Sequence, residues 1–562
     1  MLHSMFHFVL YVVFLNAVSY GGIGRVFAAS KKNPPNIVFV LADDLGWNDV
    51  GFHGSNQINT PNIDALAYDG VILHNHYSES LCTPSRSALL TGKYPIHTGT
   101  QHNVILEPEP WGLPLNEILL PEHLNKLGYV SHAVGKWHLG YFKKTYTPTY
   151  RGFKSFYGFW NGYQDYYSHM VQATFASFEG FDMRRNLNID WSSVGKYSTH
   201  LFTKEATDII IKHNNSVPLF LYLAHLAPHA GTYENPLQAP QKDIDMYQSI
   251  NDKNRRKYAG MIKNLDDSVA EIFKALQENK MLDNTIFVFV SDNGAPTNGI
   301  HQNHGSNWPL KGEKATPWDG GVRTVAFVWS KLLPNRKKVQ NQLMHISDWL
   351  PTLYQAAGGN TRDLGNIDGI SMWKSFLNST NKPPRKHVLH NIDDITGYAA
   401  IRDTHFKYIK GSTFLGYLDF WSGILSPSVP DYNIDAVLNS TTASILSQIN
   451  DGDRLSLDSI RLLRNESTVR CDFKNEDRPC KPFKKPCLFN IGKDPCEQVN
   501  LNYRPSKNMK KIVQAKVDYF ETLLNEFRKS ASTPGNVRGT RDANPAFHNN
   551  TWINWGDLNN QI

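Results

Sequence analysis

The chain contains few charged residues and few cysteines for its length. Only 19% of its 562 residues are Asp, Glu, Lys or Arg, and no long block of like charge occurs. The net charge of +7 is spread along the chain without a basic helix, so the composition does not indicate nucleic acid binding. Solenoid repeats are also missing. With 41% hydrophobic residues, the composition fits a folded globular protein and excludes collagenous, coiled-coil and wholly disordered chains.

Long apolar runs are missing beyond the first thirty residues. The run from Phe6 to Val18 is mostly apolar and is followed by small residues. Such a run is typical of a signal-peptide core and is short for a membrane span. No Lys or Arg precedes it, which leaves an uncleaved signal anchor as the alternative. We predict a signal peptide over residues 1–30, no stable membrane span, and a lysosomal or extracellular destination through the secretory pathway.

Five Asn-x-Ser/Thr sequons agree with secretion. They begin at Asn214, Asn378, Asn439, Asn465 and Asn549.

The five cysteines are unevenly distributed. Cys82 stands alone, whereas the other four lie in one short segment at Cys471, Cys480, Cys487 and Cys496. In an oxidising compartment these four can form two disulfides in any of three connectivities. Cys82 is then the unpaired cysteine.

Short β-branched or aromatic runs recur between residues 35 and 330, separated by helical or loop stretches. The runs cover residues 37–42, 71–77, 130–134, 219–223, 286–290 and 324–329. Near-continuous apolar runs of this kind indicate strands buried on both faces. We therefore predict an α/β fold with a large, mainly parallel but mixed sheet flanked by helices, including helices over 115–128, 257–279 and 344–357.

The pattern changes after about residue 380. The run over 398–409 and the cysteine cluster predict a smaller C-terminal α+β domain with a short antiparallel sheet, closed by an amphipathic helix over 510–528. The last residues are polar and predict a weakly ordered tail. The predicted division is thus a large domain over 31–380, the smaller domain over 381–530 and the tail over 531–562.

Polar residues follow several of the predicted strands directly. Ligands of open α/β sheets bind outside the carboxyl ends of the strands, so these residues are expected to converge. In chain order they are Asp43 and Asp44, Lys136 and His138, His225 and His229, and Asp292 and Asn293.

Four of these residues favour a metal site. Asp43, Asp44, Asp292 and Asn293 offer only hard oxygen ligands, which suits Ca²⁺ or Mg²⁺. The competing pair is His74 and His76, which would share one strand face. Because no third partner is evident for that pair, a structural role is favoured there.

Cys82 begins a segment that reads as the start of a helix. In Cys82-Thr83-Pro84-Ser85-Arg86, the proline suits the first helical turn, and Gly92 suits the helix end. Free N–H groups and the helix dipole at such an N-terminus favour an anion. A structural free cysteine is the alternative.

The strings around these residues resemble those of the sulfatase family. CTPSRSALLTGKYPIHTG, from Cys82, resembles the family signature, and GYVSHAVGKWHLG, at 128–140, resembles its second signature. Further similar strings are YRGFKSFYGF at 150–159, DYYSH at 165–169, SDNGAPTNG at 291–299 and NWPLKGEKATPWDGGVR at 307–323. Together they resemble the arylsulfatase B branch, which includes N-acetylgalactosamine-4-sulfatase, over about residues 35–380.

The resemblance implies an alkaline-phosphatase-like fold and a sulfuric ester hydrolase. It also implies that the formylglycine-generating enzyme of the endoplasmic reticulum converts Cys82 to Cα-formylglycine. One hydroxyl of the hydrated aldehyde would attack sulfur, and the second would allow sulfate to leave without hydrolysis of a stable ester.

The resemblance further implies a role for each site residue. One Ca²⁺ per chain would be held by Asp43, Asp44, Asp292, Asn293 and the modified residue 82. Arg86 would support the hydrated aldehyde, and Lys136 and Lys314 would offset sulfate charge. His138 would orient or deprotonate the hydroxyl, and His229 would protonate the leaving alcohol.

The predicted substrate is a sulfated sugar or a related small-molecule sulfate ester. Alternatives are a glucosinolate or another dietary aryl or alkyl sulfate, a catalytically inactive glycan-binding protein, and a phosphate ester hydrolase of the same fold. The last would use Ser or Thr with two zinc ions, and no such ligand set is evident. The loop over 300–304 is longer than expected for the arylsulfatase B branch, and its position could allow it to contact substrate.

Overall fold

The computed structural model describes residues 34–378, 383–422, 430–450, 452–473 and 478–560. The predicted signal peptide, residues 1–30, lies outside the described residues. The chain from Pro35 onward forms one compact unit. A domain boundary near residue 380 therefore stays a prediction.

Within the described residues, ten strands form one large mixed sheet. Its order is β13-β2-β12-β11-β1-β10-β4-β5-β8-β9. The bounds, in sheet order, are Lys338–Gln340, Val71–Leu73, Ala326–Trp329, Thr285–Ser291, Asn36–Ala42, Leu219–Ala224, Val130–Lys136, Ser155–Phe159, Arg184–Arg185 and Asn188–Ile189. The five strands from β11 to β5 run parallel. The predicted large, mainly parallel mixed sheet is confirmed.

The central strands are buried on both faces, as their continuous apolar runs predict. In β1, Val38 and Val40 pack into one hydrophobic cluster, whereas Ile37 and Phe39 pack into another on the opposite face. Helices cover both faces and exclude water from the sheet.

The helices are numbered here in chain order. They are α1 Pro61–Asp69, α2 Cys82–Thr91, α3 Pro95–Thr98, α4 Leu120–Asn125, α5 Ser198–Lys212, α6 Gln241–Ile244, α7 Lys253–Glu278, α8 Asp319–Val322, α9 Trp349–Ala356, α10 Trp373–Leu377, α11 Ile434–Leu438, α12 Thr441–Ile449, α13 Leu457–Ser467 and α14 Lys507–Ser530. None of the helices in this described part is long and apolar enough to cross a membrane.

Three predicted elements differ from the structure. The run over 71–77 divides into β2 and β3 (His76–Tyr77), which belong to different sheets; β3 pairs with β14 (Met344–His345). The helix predicted over 344–357 consequently starts later, because its first residues form that strand. The helix predicted over 115–128 shortens to α4, where Pro121 occupies the first turn.

A four-stranded antiparallel sheet follows residue 383, as predicted. It contains β15 (His387–Asp393), β16 (Tyr398–Asp403), β17 (Phe406–Lys410) and β18 (Cys487–Asn490). The remaining pair, β6 (Met170–Gln172) and β7 (Glu179–Phe181), forms a separate hairpin sheet. Helix α14 packs on the antiparallel sheet through Val513, Phe520 and Leu524.

The four clustered cysteines form two disulfides, Cys471–Cys496 and Cys480–Cys487. Of the three connectivities open from the sequence, the structure therefore selects one. Cys82 is the free cysteine and is buried.

The end of the chain packs against β6 and the loop at Tyr141. Trp552 is fully buried, and its indole donates a hydrogen bond to the Val171 carbonyl at 3.2 Å. The ring centroids of Trp555 and Tyr141 are 5.3 Å apart. The weak order expected for residues 531–562 stays a prediction.

Candidate active site

The carboxyl ends of β1 and β11 bring four of the predicted residues together. These strands are adjacent and parallel, and Ala42 pairs with Ser291, so Asp43 and Asp292 follow at the same level. The Asp44 backbone N–H donates to Asp292 Oδ1 at 3.2 Å. Asn293 Nδ2 donates to Asp44 Oδ1 at 2.6 Å. The three carboxylates and the amide therefore form one buried cluster.

Strand β4 adds a cation to this cluster. Lys136 is the last residue of the strand and is almost fully buried. Its Nζ lies 2.6 Å from Asp43 Oδ2. A second cation comes from the loop before α8, where Lys314 Nζ lies 2.7 Å from Asp44 Oδ2. Two residues far apart in sequence thus neutralise the two adjacent aspartates.

Helix α2 starts at Cys82 and points its N-terminus at the same cluster. The helix ends at Gly92, whose φ of 69° is left-handed, as the sequence predicts. Cys82 Sγ lies 3.6 Å from Asp43 Oδ1. One turn later, Arg86 donates from Nη2 to Asp292 Oδ2 at 2.8 Å. The helix thereby places residue 82 and a guanidinium on the carboxylates of β1 and β11.

Burial governs the electrostatics of this cluster. It raises the pKa of Asp44, and it raises the pKa of Asp292, to which nearby Asp43 also contributes. Burial also raises the pKa of the Cys82 thiol to about 12, against the effect of Lys136 and Lys314. An unmodified Cys82 is therefore a protonated and weakly nucleophilic thiol at neutral pH.

The two predicted catalytic histidines carry their protons on opposite ring nitrogens. His138 Nε2 lies 3.1 Å from the Ile105 carbonyl, which only accepts, so Nε2 carries the hydrogen and Nδ1 has no partner. His229 Nδ1 lies 2.6 Å from the Ala230 carbonyl and carries the hydrogen there. Its Nε2 lies 3.5 Å from Asp44 Oδ2. The unprotonated nitrogen of His229 thus faces the carboxylate cluster, and that of His138 is buried without a partner.

Both imidazoles are held firmly and are neutral without a ligand. Burial, with Lys136 and other cations nearby, lowers the pKa of His138 and of His229 well below the usual range. A Cβ atom on Gly162 would lie 2.7 Å from His138 Cε1, so the glycine is required for the ring's position. The backbone of His138 is left-handed, with φ of 59°, which is strained for a residue with a side chain.

The donor atoms fit a hard divalent cation. Three carboxylates are buried within one cluster, and Asn293 Oδ1 is a buried acceptor without a hydrogen-bond partner. Ligand atoms of Asp43, Asp44, Cys82 and His229 also lie within 4.8 Å of one another. This second set shares three residues with the predicted ligands. The unpartnered amide oxygen favours the oxygen-rich set that includes Asn293, which is the chemistry of Ca²⁺.

Three histidines singled out in the sequence lie elsewhere. His225 bonds Ser268 Oγ through Nε2 at 2.9 Å, beneath α7. His76 Nδ1 lies 2.9 Å from Thr324 Oγ1, and its Nε2 accepts from Trp349. His74 contacts the ring of Trp47. His74 and His76 have structural surroundings, as the sequence favoured.

A cavity of about 200 Å³ opens above residue 82. Its floor contains Cys82, His138, His229 and Lys314. The sequence did not predict the contribution of Tyr163, Phe414 and Leu418 to the walls. No local signal marks these residues, because they reach the cavity from distant segments. His301, in the loop that the sequence singled out, lines it too.

Comparisons with known proteins identify a family that the chain matches. Residues 35–359 match the family model described as Sulfatase. The chain is 37% identical over 541 residues to arylsulfatase J of Mus musculus, covering 93% of this chain and 80% of that protein. It is 33% identical over 372 residues to N-acetylgalactosamine-6-sulfatase of Homo sapiens, covering 62% and 67%. A solved structure of Ps i-CgsB in complex with k-i-k-neocarrahexaose is 26% identical, with a TM-score of 0.68 and coverage of 92% and 97%.

Proposed function

The chain belongs to the sulfatase family and is a sulfuric ester hydrolase, and on this premise we propose that a formylglycine formed from Cys82 carries its chemistry. The observation that supports this most directly is the position of Cys82. It is buried at the N-terminus of α2, 3.6 Å from Asp43 and on the floor of the cavity. Among the described residues that line the cavity, Cys82 is the one thiol.

Conversion of residue 82 to formylglycine would replace a weakly nucleophilic thiol with a reactive group. A formylglycine, as its hydrate, supplies one hydroxyl for attack on sulfur and a second that allows sulfate release. The formylglycine-generating enzyme is therefore the proposed maturation partner. Arg86, already bonded to Asp292, lies one helical turn from residue 82 and would support the hydrate.

We assign a single Ca²⁺ to the oxygen cluster. Asp43, Asp44, Asp292, Asn293 and the modified residue 82 would hold it. When bound, Ca²⁺ would lower the pKa of the reacting hydroxyl and polarise a sulfate oxygen. The unpartnered Asn293 oxygen and the three buried carboxylates support this assignment.

The lysines and histidines then act on the ester itself. Lys136 and Lys314 are buried ammonium groups at the cluster, and they would bind the nonbridging sulfate oxygens. His138 offers a free Nδ1 that can take a proton from a hydroxyl of residue 82. His229 Nε2 would carry a proton to the leaving alcohol, because an approaching sulfate monoanion favours the imidazolium.

The proposed substrate is a sulfated sugar or a related small molecule. The solved relative bound to a neocarrahexaose supports a carbohydrate substrate. The signature strings support placement in the arylsulfatase B-like branch. We also propose secretory or lysosomal localisation with N-glycosylation. In support, all five sequon asparagines are exposed.

The test is mass spectrometry of the tryptic peptide containing residue 82, from protein secreted by cells that make formylglycine. We expect the aldehyde or its hydrate in place of the thiol. The matched variants are Cys82→Ala, which should abolish sulfate release, and Cys82→Ser. The serine keeps one hydroxyl and lacks the second, so it should release at most one equivalent of the alcohol and retain the sulfate as a serine ester.

Secretion of both variants at normal levels would show that they fold. An unmodified thiol in fully active protein, or normal turnover by Cys82→Ala, would refute the proposed nucleophile.

A further inference from the structure

The walls of the cavity above residue 82 are mainly apolar. Three separate stretches of chain supply them: Val104 with Leu106, the loop at Ile300, and the segment containing Phe414 and Leu418. Residue Phe175 joins them at the mouth. The sulfate-binding floor is therefore polar, whereas the space for the rest of the substrate is not.

Several of these wall side chains are also unusually exposed. Phe175 is 79% exposed, Ile300 50% and Phe414 47%. Clustered large apolar side chains that are exposed around a cavity are typical of a ligand-binding site. The exposed apolar surface thus continues the cavity wall outward.

The cavity lining offers no cation for a second anionic group. Among the described lining residues, Lys314 is the one Lys or Arg, and its Nζ is engaged 2.7 Å from Asp44. The other charged lining residue is Glu107, which is buried and accepts hydrogen bonds from the Thr174 N–H and hydroxyl. An additional carboxylate or sulfate in the cavity would lie against Glu107 and apolar side chains. It would lose its hydrating water without gaining a cation as a partner, which lowers affinity.

One wall is an aromatic surface. The ring of His301 lies 4.6 Å from that of Tyr163 and stacks on Tyr233 at 5.4 Å between centroids. Burial lowers the pKa of His301 to about 3, so this wall is uncharged. A flat ring or the C–H face of a sugar would fit against it.

The segment over 413–418 is held in place and forms another part of the wall. Phe414 and Leu415 are both left-handed, with φ of 47° and 54°. The Thr413 hydroxyl donates to the Ala315 carbonyl at 2.7 Å, next to Lys314. A strained backbone beside a site lysine indicates a positioned wall.

We propose that this cavity selects sulfate monoesters whose remaining part is uncharged and has an apolar face, and that it discriminates against substrates with a second anionic group. The inference rests on the proposed sulfatase function and adds the substrate class. An uncharged monosulfated sugar or aryl group fits, whereas a unit of a polyanionic chain does not.

The test uses a matched pair of aryl esters, methyl 4-(sulfooxy)benzoate and 4-(sulfooxy)benzoate. They share the phenyl sulfate group and differ by one carboxylate. For the formylglycine-bearing protein, we expect kcat/KM for the methyl ester to exceed that for the acid by about tenfold or more. Phe175→Lys places a cation at the mouth and should raise kcat/KM for the acid, so that the ratio falls.

The matched control is Leu462→Lys, on α13, where the leucine is 58% exposed and does not line the cavity. It should leave the ratio unchanged. Equal kcat/KM values for the two esters, or equal effects of the two lysine variants, would overturn the inference and leave the sulfatase function standing. No sulfate release from either ester by protein with formylglycine at residue 82 would instead contradict the proposed function, and the inference with it.

Discussion

The two histidines on the cavity floor differ in which ring nitrogen their backbone partners keep protonated. The carbonyl of Ile105 fixes the hydrogen of His138 on Nε2, and the carbonyl of Ala230 fixes that of His229 on Nδ1. A histidine that acts as a base needs one unprotonated ring nitrogen, whereas a histidine that acts as an acid needs both ring nitrogens protonated. In its proposed acid role, His229 would therefore gain its proton together with the anionic substrate, because burial keeps the imidazole neutral before binding.

His229→Gln should separate substrates by their leaving groups. Loss of a general acid typically costs about 10²–10⁴ in rate. We expect that loss for N-acetylgalactosamine 4-sulfate, whose alcohol needs a proton to leave. For 4-nitrophenyl sulfate, whose phenolate leaves readily, the loss should be about tenfold or less. Steady-state kcat values for both substrates provide the measurement.

The control for this variant is His405→Gln, because His405 is exposed on the small sheet's turn. Both of its rates should match those of the unmodified sequence. Equal losses on the two substrates in His229→Gln would contradict the acid role.

At the scale of elements, the site depends on two adjacent parallel strands ending together. β1 and β11 pair in register up to Ala42 and Ser291, and each then continues into acidic or amide residues. Like charges at neighbouring strand ends repel, and burial adds to the cost of each charge. A bound divalent cation would offset this repulsion and should stabilise the folded chain.

Asn293→Ala should therefore weaken stabilisation by Ca²⁺. Free Ca²⁺ at about 100 times its Kd would stabilise the folded state by about 2.7 kcal/mol, and at about one Kd by only about 0.4 kcal/mol. If loss of the Asn293 oxygen raises the Kd for Ca²⁺ about a hundredfold, the same Ca²⁺ concentration would stabilise the variant by the smaller of these two free energies. The measurement is the Tm difference between CaCl₂ and EDTA, which needs no activity.

Asn188→Ala, at an exposed position of β9, serves as the matched control and should keep the full Ca²⁺ shift. An unchanged shift in Asn293→Ala would place the cation elsewhere.

At the scale of the whole molecule, a buried ion cluster joins the small sheet to the active-site loop. Lys407 of β17 is fully buried, with its Nζ 2.7 Å from Asp319 and 2.8 Å from Glu497. Asp319 begins α8, which directly follows the loop that carries Lys314. The small sheet thus helps to position that loop, and the segment that follows β17 supplies the cavity wall around Phe414.

Lys407→Met should destabilise the protein strongly. Removing the cation leaves two buried carboxylates facing each other, and breaking a buried pair of this kind costs about 3–5 kcal/mol. We expect a lower midpoint of urea unfolding. Lys484→Met, at an exposed lysine of the same region, should leave the midpoint nearly unchanged. An unchanged midpoint of urea unfolding for Lys407→Met would show that the buried ion cluster does not stabilise the protein.

Local pattern alone was sufficient for much of this protein. Strands such as β1 and β11 were predictable because residues buried on both sheet faces must be apolar throughout. The helix start at Cys82 was predictable because Pro84 and Gly92 act within a turn or two of their own position. The polar residues at strand ends follow from the same local logic, since parallel strands end at one edge.

Only the tertiary structure decided what depends on distant segments. It selected the disulfide pairing, divided the run over 71–77 between two sheets and buried Trp552. It also brought Phe414 and His301 to the cavity over Cys82. The disulfides join cysteines only 25 and 7 positions apart, whereas the other outcomes depend on contacts between residues more than a hundred positions apart. The free energy of such contacts depends on shape and burial that no local pattern contains.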